Sequence, residues 1–201
     1  MKNIIFDIGN VLLSFQPERF LKQYYDEKTM GDLLTIIFCS DEWLELDLGN
    51  LTIDETINIF SKRNPHYKEE IYFILKHWTE MMTPIQENVD IAYKLKEKGY
   101  SLYILSNFHE EAIKEMYNKY PFFTIFDGGV ISAYEHMIKP NPKFYQILLD
   151  RYHLNPHECL FIDDMLANVT IANRLGISSI HLNYNKDLKE ELYKLNIFKK
   201  T

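Results

Sequence analysis

Short apolar runs alternate along this chain with longer stretches whose apolar residues recur every three and four positions. The first run is Asn3-Ile4-Ile5-Phe6, followed directly by Asp7, Gly9 and Asn10. An apolar run ending in turn-formers predicts a buried strand that delivers a carboxylate into a loop. Four later runs predict further strands: Ser101 to Leu105, Thr124-Ile125-Phe126, Cys159-Leu160-Phe161-Ile162, and Ser179 to Leu182. Helical spacing lies between most of them. Ile91 and Leu95 lead to a turn at Gly99; Phe144, Ile147, Leu148 and Tyr152 repeat at three and four; Val169, Ala172 and Leu175 run into Gly176, a helix stop. Strands alternating with helices predict a parallel α/β sheet covered on both faces.

The stretch from about Ser14 to Pro84 breaks this rhythm. Its apolar residues keep helical spacing (Phe20 and Tyr24; Leu33 and Ile37; Ile57 and Phe60; Ile71, Leu75 and Trp78), and no strand is evident. A short crossover would suffice between the first two strands. Residues 15–84 are therefore predicted to be a helical insert over the sheet, with residues 1–14 and 85–201 forming the core. Gly49-Asn50 and Asn64-Pro65 divide the insert into helical pieces. The Lys-rich tail after Asn185 reads as a solvated last helix.

The 201 residues suit one substantial domain with a smaller insert. A formal net charge of −7 gives no field for holding a polyanion, which argues against nucleic acid as a partner. With that charge, aromatics making up 14% of the chain read as packing rather than a base-stacking surface. No apolar run approaches membrane-span length, and Asp7 interrupts the N-terminal one before any signal-peptide pattern develops. Cys39 and Cys159 are predicted to be buried, reduced thiols. These features together predict a cytoplasmic protein with no membrane or nucleic-acid partner. The histidines at 66, 77, 136, 153, 157 and 181 show no metal-ligand spacing and read as surface or packing residues.

Ligands of open α/β sheets bind at the carboxyl ends of the strands. The residues placed there are Asp7, Ser106-Asn107 and Asp163-Asp164, with Lys139 in a Pro-flanked loop before a helix. Any one of them alone would be a turn, a cap or a surface residue. Together they bring three carboxylates, a hydroxyl and a lysine to one edge.

In order and wording these segments resemble the haloacid dehalogenase-like hydrolase superfamily. Phe6-Asp7-Ile8-Gly9-Asn10-Val11-Leu12 is similar to its first motif, Leu105-Ser106-Asn107 to the second and Ile138-Lys139-Pro140-Asn141-Pro142 to the third. Phe161-Ile162-Asp163-Asp164, followed by Asn168, Ala172 and Gly176, resembles the fourth. The insert resembles the helical cap of the subgroup whose cap lies between motifs one and two. Its Trp43-to-Gly49 stretch is similar to that of the bacterial glucose-1-phosphatase and soluble epoxide hydrolase phosphatase-domain group. The resemblance implies a Rossmann-like core with a helical cap, and a Mg²⁺-dependent phosphatase working through an aspartyl-phosphate. It implies Asp7 as nucleophile and Lys139 as the cation that neutralises both Asp7 and the phosphate. Ser106, Asn107 and Trp43 would contact substrate. Asp7, the Gly9 carbonyl and Asp164 would hold Mg²⁺; Asp163 would reach it through water or from behind, and Asn168 would order that set. The substrate would be a small phosphorylated metabolite, with a sugar phosphate favoured, and the protein a monomer or weak homodimer.

One position departs from the family pattern. A second Asp, two residues beyond the nucleophile, ordinarily protonates the leaving oxygen, and here that position is Gly9. The substrate can have a leaving group that departs unaided, such as an anomeric oxygen, and the subgroup's shared Asp-x-Gly-Asn wording favours this. Alternatively Glu45, Asp47 or His109 supplies the proton, or the site binds phosphate with little turnover. The gap also admits a metal-independent 2-haloacid dehalogenase. Such an enzyme has no use for paired carboxylates after the fourth strand, where Asp7, Asp163 and Asp164 would repel one another without a cation.

Overall fold

The computed structural model describes residues 1–198. At its centre is a five-stranded, fully parallel sheet: β1 (Asn3–Phe6), β4 (Ser101–Ser106), β5 (Gly128–Ile131), β6 (Cys159–Asp163) and β7 (Ser178–His181), in the order β5-β4-β1-β6-β7. β1 therefore runs down the middle, and strand order reverses on either side of it. Its register is the same with both neighbours: Phe6 pairs with Ile104 on β4 and with Ile162 on β6. The residues one step further, Asp7, Leu105 and Asp163, thus end side by side.

The strands read as continuous apolar runs because both faces are covered. On one face Ile4, Phe6, Ile104 and Ile162 pack with residues of α6 (Gln86–Glu97), α7 (Glu110–Lys119) and α11 (Leu188–Lys194). On the other, Ile5, Tyr103 and Phe161 pack with Phe144, Tyr145 and Leu148 of α9 (Pro142–Arg151) and Ala172 of α10 (Leu166–Arg174). Gly99 and Gly176 both take φ +84°, so each stops a helix where the sequence expects it.

The insert comprises α1 (Pro17–Leu21), α2 (Glu27–Phe38), α3 (Asp41–Asp47), α4 (Ile53–Arg63) and α5 (Lys68–His77). Local chemistry sets its helix starts. Asp26 caps α2, Ser40 caps α3, and Thr52 with Glu55 forms a reciprocal capping box on α4. The apolar faces of these helices join the same core as β1.

Three sequence expectations are corrected. The junctions of the insert are not strand-free: β2 (Leu13–Phe15) and β3 (Met82–Pro84) pair antiparallel, closing the insert at its base. Thr124-Ile125-Phe126 is not a strand, since residues Pro121–Ile125 form a 3₁₀ turn and the edge strand is Gly128–Ile131. The aromatic run packs inward as an irregular turn, and the strand that pairs with β4 is the one whose glycines permit close approach. A Cβ at Gly129 would stand 2.9 Å from Ile104 Cβ, and one at Gly128 would run into the Tyr152 ring. Finally, Cys159 is buried but Cys39, the residue that ends α2, is exposed; both are free thiols. No helix among the described residues is long and apolar enough to cross a membrane.

Candidate active site

Asp7 leaves the carboxyl end of β1 into a tight loop. Its Oδ1 accepts from the Ile8 N–H at 2.7 Å, from Ser106 Oγ at 2.7 Å and from Lys139 Nζ at 2.8 Å. Among the described residues Oδ2 receives no hydrogen bond, so one oxygen is anchored and the other left for chemistry. Burial pushes the Asp7 carboxyl up to about 7; the Asp163 charge adds to this, while Lys139 and Ser106 oppose it.

Lys139 precedes α9 on a loop pinned by Asn107, whose Oδ1 accepts the Lys139 N–H at 2.8 Å while its Nδ2 donates to the Lys139 carbonyl at 3.1 Å. The ammonium is buried between Asp7 and Asp163 Oδ2, the latter at 2.7 Å. Burial works to lower its pKa, and the two carboxylates outweigh that, so the net direction is up. Lys139 therefore stays charged.

Asp163 is fully committed. Oδ1 accepts from the Met165 N–H at 2.8 Å and Asn168 Nδ2 at 3.0 Å, and Oδ2 from Lys139 and again from Asn168. A carboxylate with this many donors is a positioning group rather than a free metal ligand. Asp164 is more open. Its Oδ2 accepts from Asn10 Nδ2 at 3.1 Å, its backbone carbonyl lies 2.9 Å from His181 Nε2, and burial raises its pKa. Carboxylate oxygens of Asp7, Asp163 and Asp164 fall within 4.8 Å of one another. This close set of hard oxygen donors, two of them raised in pKa by burial, fits a divalent cation such as Mg²⁺.

A cavity of about 250 Å³ opens onto this cluster, bordered by Asp7, Gly9, Asn10, Asn107, Lys139, Asp164 and Asn168. It is lined as well by Phe15, Trp43, Trp78, Met82, Phe108 and Met165, together with Asp47 and His109. The insert reaches the site through Trp43 and Asp47 of α3 and through Phe15, Trp78 and Met82 near its ends. Gly49, just past that helix, has φ +70°, and a Cβ there would lie 2.3 Å from the Ala133 carbonyl oxygen on α8 (Ser132–Glu135). The Leu48 carbonyl also meets His136 Nδ1 at 2.9 Å. These contacts seat α3 against the core, and Trp43 and Asp47 project from it into the cavity.

The sequence thus named Asp7, Ser106, Asn107, Lys139, Asp163, Asp164, Asn168 and Trp43, and the structure brings all of them to one place. Ser106 is bonded to Asp7, and Asn107 uses its side chain to hold the Lys139 loop. Glu45 does not reach the cavity, because its carboxylate accepts from Asn50 Nδ2 at 2.7 Å. Two contributors were not anticipated. Asn10, at φ 52°, links the Phe15 N–H and Asp164, and buried Asn88 on α6 donates to the Val11 carbonyl at 2.7 Å. The Asn10 signal was present, since Asn tolerates a left-handed turn. The Asn88 signal was not, since an Asn on an amphipathic helix looks solvated.

Several known proteins are similar to this chain over most of its length. A sesquiterpene phosphatase, astK, of Aspergillus oryzae is 28% identical over 186 residues, covering 90% of this chain and 89% of that protein. A D-ribitol-5-phosphate phosphatase of Bacteroides thetaiotaomicron is 25% identical over 211 residues, covering 96% and 97%. The crystal structure of an enzyme from the same bacterium, bt-2542, solved with magnesium and inorganic phosphate, superposes with a TM-score of 0.74 at 24% identity over 95% of this chain and 98% of its own. The haloacid dehalogenase-like hydrolase pattern itself matches residues 4–182, and the chain belongs to that family of hydrolases.

Proposed function

We propose that this chain is a Mg²⁺-dependent phosphomonoesterase in which Asp7 attacks phosphorus and carries the phosphoryl group as an aspartyl-phosphate. The observation that carries this reading is the Asp7 carboxylate, buried and braced on one oxygen by Lys139 and Ser106, beside two further carboxylates. A phosphate dianion cannot approach such a cluster unless cations stand between. Lys139 is one such cation. Asp7, Asp164 and the Gly9 carbonyl would hold Mg²⁺, with Asp163 and Asn168 behind them. The metal supplies charge neutralisation on the phosphoryl oxygens. Ser106 Oγ, which now donates to Asp7, can turn to a phosphoryl oxygen, and the Asn107 backbone N–H can donate to another. Residues 15–84 act as the cap domain, whose α3 covers the cavity and excludes water from the covalent intermediate.

A metal-free dehalogenase is disfavoured by the same cluster, because Lys139 alone leaves two carboxylates uncompensated. The substrate is a small phosphorylated metabolite, in keeping with a cavity of about 250 Å³. A sugar phosphate fits if one ring face stacks on Trp43. The six apolar side chains that line the cavity favour a second reading, a phosphate ester of an apolar alcohol, in line with the sesquiterpene phosphatase among the relatives. Release of phosphate from p-nitrophenyl phosphate, measured with Mg²⁺ and with chelator, tests the activity. Activity that survives chelation or the Asp7→Asn substitution would reject it. A panel of sugar and prenyl phosphates then separates the two substrate classes.

A further inference from the structure

We infer that His109, oriented by Asp47 of the insert, is the proton donor to the leaving oxygen, taking over the role that Gly9 cannot fill. The inference rests on the phosphatase reading above.

His109 follows the second motif and is only 3% exposed, yet it lines the cavity shared with Asp7 and Gly9. Its imidazole packs against both Trp43 and Trp78, with ring centroids at 4.5 and 4.7 Å. Nε2 lies 3.2 Å from Asp47 Oδ1. Nδ1 is buried and has no hydrogen-bond partner among the described residues. A buried polar atom left without a partner is costly, and in a native structure it calls for an explanation such as a catalytic role or a bound water or ion. If the histidine served only to tie the insert to the core, Nε2 and Asp47 would suffice. The orphaned nitrogen is what a tie does not explain.

The pairing also repeats the logic of other acid–base histidines, where a carboxylate on one nitrogen fixes the ring and balances its charge while the other nitrogen works. In the first step Asp7 forms a bond to phosphorus and the P–O bond to the organic group breaks. The electron pair of that bond goes to the departing oxygen, which takes the proton from Nδ1 and leaves as an alcohol. His109 is then a neutral imidazole with its Nε2–H still directed at Asp47. In the second step Nδ1 takes a proton from the water that attacks the aspartyl-phosphate. Phosphate leaves, and both Asp7 and the imidazolium are restored.

The test is a leaving-group series on the Mg²⁺-loaded full chain, for wild type, His109→Gln and Asp47→Asn. Gln at 109 can still donate to Asp47, so the tie between insert and core is kept while the proton is lost. With the acid removed, kcat/KM for alkyl phosphates should fall by about 10²–10⁴-fold, and that for p-nitrophenyl phosphate, whose phenolate leaves unaided, by less than about 10-fold. Rate should then depend more steeply on leaving-group acidity than in the wild type. Asp47→Asn should shift the series the same way by a smaller amount, and it carries the test if His109→Gln does not fold by circular dichroism. An equal loss on alkyl and aryl esters, or none, would overturn the inference while leaving the phosphatase reading intact. Wild-type turnover that survives Asp7→Asn would instead remove the reading on which it stands.

Discussion

Lys139 Nζ lies 2.7 Å from Asp163 Oδ2, and the two side chains are 1% and 0% exposed. A buried ion pair of this kind is held less by attraction than by the cost of separating it, because either charge alone would be stranded without water. The pair sits directly behind Asp7, so its integrity is a condition for placing the nucleophile.

Lys139→Met is accordingly expected to do double damage. Without Mg²⁺ it leaves Asp7 and Asp163 facing each other, and urea unfolding should show a loss of about 3–5 kcal/mol, the cost of breaking a buried pair from one side. Mg²⁺ should restore part of that stability but little of the turnover. A variant with wild-type stability in chelator would show that the pair is not carrying load.

Asp163 and Asp164 should separate cleanly. Asp164→Ala removes an open carboxylate, so calorimetry should show a large loss of Mg²⁺ affinity with stability in chelator near wild type. Asp163→Ala strips partners from Lys139, Asn168 and the Met165 N–H. It should destabilise the protein by several kcal/mol, on the order of 3–5, because these buried donors lose their acceptor and Lys139 keeps only Asp7 as a partner. The opposite pattern would exchange their roles.

The pH dependence of stability follows from Asp7. Its carboxyl stands at about 7 in the fold against an ordinary value of 3.8, so the folded state binds the proton more tightly than the unfolded chain. Stability from this group is full below the unfolded value, declines as pH rises between the two, and is lost above the folded one. Three units correspond to at most about 4 kcal/mol. In chelator, the stability of wild type relative to Asp7→Asn should therefore fall between pH 4 and pH 7, and Mg²⁺ should flatten the difference. A difference independent of pH in chelator would refute the raised value.

Gly9→Asp tests the missing acid directly. An added Cβ there meets nothing within 4 Å, and the backbone is not in a glycine-only conformation. The variant should fold, and in a His109→Gln background it should recover alkyl phosphate turnover by about 10-fold or more, within the range expected of a positioned acid. No recovery, with folding and Mg²⁺ binding intact, would mean that a carboxylate at position 9 cannot reach the leaving oxygen.

Gly49→Ala probes the seat of α3. With φ +70° and a Cβ 2.3 Å from the Ala133 carbonyl oxygen, the methyl group must push the helix off the core. Stability should fall by about 1–3 kcal/mol from the strained backbone and the clash. KM should rise, since Trp43 and Asp47 move with the helix. An unchanged KM would show that α3 does not shape the cavity.

Much of this protein is written in local pattern. β1 and β6 are apolar runs ending in aspartates, and any chain that stacks such runs into a parallel sheet must bring Asp7 and Asp163 to the same edge. Helix caps such as Ser40 and Thr52 are equally local, because the bonds they make lie within one turn. What escaped the sequence depended on neighbours far along the chain. The strand at Gly128–Ile131 opens on two glycines, which carry little strand preference, and they sit there because Tyr152 and Ile104 of β4 leave no room for a Cβ. β2 and β3 are three residues each, too short to stand out in the sequence, and they form by pairing with each other across the whole insert. Among the three side chains that could replace the missing acid, sequence spacing treated Glu45, Asp47 and His109 alike. Glu45 is taken up locally by Asn50, five residues on, while the seating of α3 on α8 sets Asp47 against His109. Propensity acts over a few residues, but which side chains meet across two lobes is fixed by the volume each must fill, and only the folded core determines that.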